Sequence, residues 1–116
     1  MTSHFDLSAA NDRLADLRPL LAGLREDRDA IARSRPSVEQ SGAVEPAILA
    51  RMEAAVRQID AWGITLRDIA TGLVDFPALA SGRPIWLCWK LGEGAIAWWH
   101  ELDAGFAARR PLIDLE

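Results

Sequence analysis

Leu73-Val-Asp-Phe-Pro-Ala-Leu-Ala-Ser-Gly-Arg-Pro-Ile-Trp-Leu-Cys-Trp-Lys-Leu91 is the stretch whose reading decides the fold. Apolar residues alternate on both sides of Ser81-Gly82, a pair suited to a two-residue hairpin turn. Such a turn sets Ala80 opposite Arg83, Phe76 opposite Leu87 and Asp75 opposite Cys88. One face then carries Val74, Phe76, Ile85, Leu87, Trp89 and Leu91 and is suited to a core. The other carries Asp75, Trp86, Cys88 and Lys90, too aromatic for an ordinary wet face.

Outward from this pair, Ile64-Thr-Leu66 is a short candidate strand, and Ala95-Ile-Ala-Trp-Trp-His-Glu101 follows the turn residues Gly92-Glu-Gly94. Pro77 and Pro84 lack an amide donor, so they belong at strand ends or edges. Two registers stay open for the last hairpin. A two-residue turn at Glu93-Gly94 sets His100 opposite Leu87, on the apolar face. A three-residue loop from Glu93 to Ala95 sets it opposite Cys88, in one row with Asp75.

Upstream the period is helical. Leu7, Ala10, Leu14, Leu17, Leu21 and Leu24 form one stripe, resumed at Ile31, with Asp6 as N-cap and Phe5 and Ala10 as a staple. Pro19 is expected to bend this helix, which should stop by about Arg35, before Pro36. After a connector from Arg35 to Val44, a second helix opens with Glu45 and Pro46 in its first turn. It carries Ile48, Met52, Ala55, Ile59 and Trp62 on one stripe and ends at Gly63 as C′. The expected fold class is α+β: an antiparallel two-helix hairpin (6–62) packed on a small antiparallel β-meander of three to four strands (64–101). A tail (102–116) of loop with one helical turn follows, all within one domain.

Half the residues are hydrophobic and the formal net charge is −4, which argues against a nucleic-acid partner. Lys90 is the one lysine among 13 basic residues, a bias typical of base composition. The single cysteine excludes an internal disulfide and fits a reducing, cytoplasmic setting. No charged segment followed by an apolar run opens the chain, and no stretch is apolar enough to span a bilayer, so neither secretion nor a membrane partner is expected.

Gly72-Leu-Val-Asp-Phe-Pro77, Gly82-Arg83, Leu87-Cys-Trp89, Gly92-Glu93, Trp99-His-Glu101, Asp103, Gly105-Phe106 and Arg110-Pro111-Leu112 together resemble the bacterial family filed as domain of unknown function 2203. The opening helix, with Phe5, Leu7, Ala10-Asn11 and Arg18-Pro19, resembles that family's N-terminal segment. The resemblance spans nearly the whole chain and departs from the family at Gly94, where the family carries proline. It implies membership without an assigned activity, so it transfers no site residue.

Function must therefore be sought where the chemistry is concentrated. All five tryptophans lie between Trp62 and Trp99, and Cys88 and His100 fall in the same region. The reading preferred from the sequence is a binding or assembly module that self-associates, as a homodimer, through the aromatic outer sheet face. Its binding residues would be Asp75, Arg83, Trp86, Trp89, Glu93, Trp98, Asp103 and Arg110, with Lys90 and Arg109 on the rim. Its other partner, protein or small molecule, is not named by the sequence. The alternative is a small zinc protein, with hydrolysis as the activity open to such a site. Asp75, Cys88 and His100 supply a carboxylate, a thiolate and an imidazole, and Glu101 or Asp103 would be a general base. Against zinc, the three residues lack paired ligand spacing. They also suit plain structural roles: a small buried thiol, a satisfied sheet histidine and a turn-capping carboxylate. A nucleophilic Cys88–His100 pair is weaker still, because apolar neighbours Leu87 and Trp89 hold a thiol protonated. Whether the protein is an enzyme stays open at this level.

Overall fold

The computed structural model describes residues 4–34 and 44–115; the expected connector lies outside them except for Val44, which is already the first residue of the second helix. Its elements are α1 (Leu7–Ser34), α2 (Val44–Ala61), β1 (Thr65–Asp68), β2 (Leu73–Ala80), β3 (Arg83–Lys90), β4 (Trp98–His100) and β5 (Arg110–Pro111). The strands form one antiparallel sheet in the order β1-β2-β3-β4-β5. The fold is thus α+β, with two helices and five strands rather than three to four. The added strand is β5, in the segment expected to be loop.

Local chemistry sets the helix ends. Asp6 Oδ1 accepts from the Ala9 amide at 2.7 Å, satisfying a donor that the first turn leaves open. Gly63, at φ 82°, closes α2. The amides of Ile64 and Gly63 donate back to the carbonyls of Ile59 (3.2 Å) and Asp60 (2.9 Å), the paired bonds of a Schellman ending. Pro19 is accommodated inside α1, which runs on to Ser34.

The core stripe of α1 is Ala10, Leu14, Leu17, Leu21 and Leu24, all 2 % exposed or less. Leu7, expected to open the stripe, is 42 % exposed at the first position of α1. Those side chains pack with Ile59 of α2 and with the inner sheet face, Val74, Phe76, Ala78, Ile85, Leu87, Trp89 and Trp99. Each fully buried leucine contributes about 1.5–3 kcal/mol of transfer free energy. Among the described residues, Arg51 of α2 grips Asp27 of α1 through two bonds of 3.0 and 2.7 Å, and the Arg13 guanidinium lies 4.5 Å over Trp62, just past the end of α2.

The β2–β3 register follows the turn. Ser81 (φ 52°) and Gly82 (φ 80°) both take positive φ, the type I′ geometry whose twist matches paired strands. Ala80 then pairs with Arg83, and Asp75 with Cys88, as the sequence requires. Pro77 sits within β2 beyond the reach of β1. There its carbonyl accepts from the Phe5 amide at 2.7 Å, and Phe5 packs edge-on against Phe76.

The last hairpin takes neither expected register. Trp98 faces Cys88, Trp99 faces Leu87 and His100 faces Trp86. The cause is the segment before β4, which is tied to other groups instead of joining the ladder. The Ile96 amide donates to Asn11 Oδ1 at 2.8 Å, Trp89 Nε1 donates to the Gly94 carbonyl at 2.8 Å, and Ile96 is buried. This shortens β4 and shifts its pairing. The shift is an even number of residues from the three-residue-loop register, so His100 still lies on the face of Asp75 and Cys88.

Candidate functional site

Asp75, Cys88 and His100 meet on the outer face, each 2 % exposed or less. One potential ligand atom from each lies within 4.8 Å of the others. Asp75 and Cys88 are direct cross-strand partners, whereas His100 approaches diagonally from β4.

Hydrogen bonding orients the imidazole. Nδ1 lies 2.9 Å from the Glu101 carbonyl, an acceptor only, so Nδ1 carries a hydrogen. Nε2 lies 3.1 and 3.0 Å from the two oxygens of Asp75. In the neutral imidazole, Nε2 then presents a lone pair to a carboxylate that can only accept. Such a contact requires a positive centre between them, either a proton or a metal ion. Arg67 adds charge from the solvent side, donating from Nε to Asp75 Oδ2 at 2.8 Å while its guanidinium lies 4.9 Å over Trp86.

Cys88 is the third corner. Burial pushes its thiol up to about 12, and the negative charge of Asp75 acts in the same direction against a smaller opposing effect of Arg109. At neutral pH it is a thiol, which excludes an unaided thiolate nucleophile. A coordinating metal would remove that proton outright.

The tail covers this face. Arg109 clamps Glu93 through two bonds of 2.8 and 2.9 Å and donates to the Cys88 carbonyl at 3.3 Å. Its guanidinium lies between Trp98 (4.8 Å) and Phe106 (4.6 Å). Burial alone would raise Glu93. The Arg109 fork and the Lys90 amide outweigh it and hold the carboxyl below its ordinary range. Between the tail and β1–β2 runs a cleft of about 330 Å³, with Asp75 and Arg67 on one side and Asp103 and Phe106 on the other.

The remaining sequence-predicted residues scatter. Trp86 and Trp98 are on the outer face, half-buried under Arg67 and Arg109. Trp89 is fully buried on the inner face, in the core. Arg83, which pairs with Glu101, and Arg110 both lie over Trp99, away from the cluster. Glu93 serves the tail clamp. Asp103 is at the cleft, exposed, with no ion pair among the described residues.

Arg67 and Phe106 were missed by sequence reasoning. Arg67 sits at a bulge between Leu66 and Asp68, and Phe106 lies in a segment with no strand or helix period. One signal was available for Arg67, since Thr65 and residue 67 share a strand face.

A sequence model of the family described as "Uncharacterized conserved protein (DUF2203)" matches residues 3–112. No curated protein and no solved structure matches the chain.

Proposed function

The chain belongs to that uncharacterised family, and from its own geometry we propose that it is a small zinc-binding protein whose ligands are Asp75, Cys88 and His100. The observation that carries this is the convergence of three acceptor atoms within 4.8 Å at a buried point. His100 Nδ1 is already committed to a backbone carbonyl, the outer-shell arrangement that turns Nε2 toward Asp75, where a metal would replace the direct Nε2–carboxylate contact. Thiolate, imidazole and carboxylate suit zinc. Three protein ligands leave one tetrahedral position for water or substrate. Oδ1 of Asp75 is the oxygen for the metal, because Oδ2 is held by Arg67. The cleft that reaches Asp75 is the path for a fourth ligand, and Asp103 on its far side is the group placed to take a proton from it.

The test is cobalt(II) substitution of the purified protein. A thiolate-to-cobalt charge-transfer band, abolished by Cys88→Ser and by His100→Gln, is the expected result. A spectrum of hexaaqua cobalt in the wild-type protein refutes the site.

A second reading, homodimerisation through the outer face, is favoured by one observation. Leu102, Phe106 and Ile113 of the covering tail are 54 %, 40 % and 87 % exposed. A self-associating surface would bury them, and light scattering should then give twice the chain mass, lowered by Ile113→Ser. A single-chain mass at all concentrations rejects it.

A further inference from the structure

We infer that the cleft between β1–β2 and the tail binds a small organic monocarboxylate with an apolar body, held by the outer edge of the Arg67 guanidinium. This goes beyond the zinc reading and does not depend on it.

Arg67 is fixed from two directions. Its Nε donates to Asp75, itself 2 % exposed and anchored by His100, and its plane rests on the Trp86 indole. That bond is the one hydrogen bond the side chain makes among the described residues, and the side chain is 42 % exposed. The Nη edge is therefore presented in one orientation with its donors unspent. A planar fork held this way matches the two oxygens of a carboxylate, and little side-chain freedom remains to be lost on binding.

The rest of the cleft describes the body of the ligand. Leu73, Leu102 and Phe106 line it with apolar surface beside Arg67, Asp75 and Asp103. Its volume of about 330 Å³ falls at the small end of ligand pockets. Charge selects the head group. One guanidinium faces two carboxylates, so a second negative charge on the ligand adds repulsion without adding a partner. A monocarboxylate adds one repulsive charge against the two Nη donors it engages, and a phosphate dianion adds two, so the monocarboxylate is the better ligand of the pair.

The test uses wild-type protein stripped of metal, with benzoate as probe, benzyl alcohol as its neutral counterpart and inorganic phosphate as the dianion. The readout is the Trp86 indole N–H signal in nitrogen-edited NMR. The expected result is a saturable shift with benzoate at least about tenfold tighter than with benzyl alcohol, since a charge-assisted pair is at stake, and weaker binding of phosphate. Arg67→Gln should erase the preference for benzoate over the alcohol, and Arg67→Lys should weaken it. Equal binding of the alcohol, tighter binding of phosphate, or no saturable shift overturns the proposal. The ligand comparison in unmutated protein decides the matter even if a variant fails to fold. Loss of zinc binding with benzoate binding intact would sink the metal site alone.

Discussion

Replacing Cys88 by alanine separates a metal ligand from a small core residue, because the two roles predict different responses to zinc. Without metal the change removes one buried sulfur from a fully enclosed site. The expected cost is about 1 kcal/mol, at the low end for large-to-small core substitutions. For 116 residues the unfolding entropy is about 0.24 kcal/mol per degree, so the metal-free variant should melt about 4 °C below wild type. Zinc that binds only the folded chain stabilises it by about 2.7 kcal/mol at a hundredfold excess over Kd. Wild type should therefore gain about 11 °C. Loss of one of three ligands that raises Kd about a hundredfold leaves only about 0.4 kcal/mol, a shift under about 2 °C at the same zinc concentration. Thermal unfolding of both proteins, each with and without zinc, measures all four values. If zinc leaves wild type unmoved, or raises the variant as much as wild type, the reasoning fails.

Alkaline stability offers a second test, in the metal-free protein. The Cys88 thiol loses its proton near 9 in the unfolded chain and near 12 in the folded one. Between those values the unfolded state binds fewer protons, so stability should fall with rising pH by about 1.4 kcal/mol per unit, and Cys88→Ala should flatten that slope in denaturant titrations; an unchanged slope contradicts the assignment. At the acid end, the Glu93 carboxyl is held low by the Arg109 clamp, so its contribution is present above the ordinary carboxylate range and lost as pH falls through its folded value. Protease cleavage within residues 102–115 should increase there, and Glu93→Gln should reproduce the increase at neutral pH. Gly72 and Gly82 both take positive φ, but only at Gly72 would a Cβ strike a neighbour, 2.7 Å from Leu91 Cβ. Gly82→Ala should cost about 1–2 kcal/mol from backbone strain and Gly72→Ala clearly more by chemical denaturation; equal costs would contradict the packing.

The sequence carried the β2–β3 pairing because Ser81-Gly82 fixes it locally: one turn type, one register, and with it the opposition of Asp75 and Cys88. The α1 stripe was legible for the same kind of reason, a repeated spacing that needs no partner to be recognised. His100 was different. Its register depends on Ile96 and Gly94 being drawn to Asn11 and Trp89, contacts between residues distant in the chain or around an irregular loop, for which no spacing rule exists. Its face could be narrowed to two options because side chains alternate, and the structure took the option with the right parity. The tail was least legible. It is held by cation–π contacts of Arg109 and Lys90 and by a two-residue strand, features with no periodic signature. The half-burial of Trp98 follows from Arg109 and that of Trp86 from Arg67, neither contact being visible in a spacing, which is why the sequence reads as an open aromatic surface.

Metal content of the protein purified without chelators tests the central claim most directly. The account predicts close to one zinc per chain by elemental analysis, falling to background in Cys88→Ser and His100→Gln purified in parallel. A wild-type protein at background, or variants that retain the metal, would contradict it.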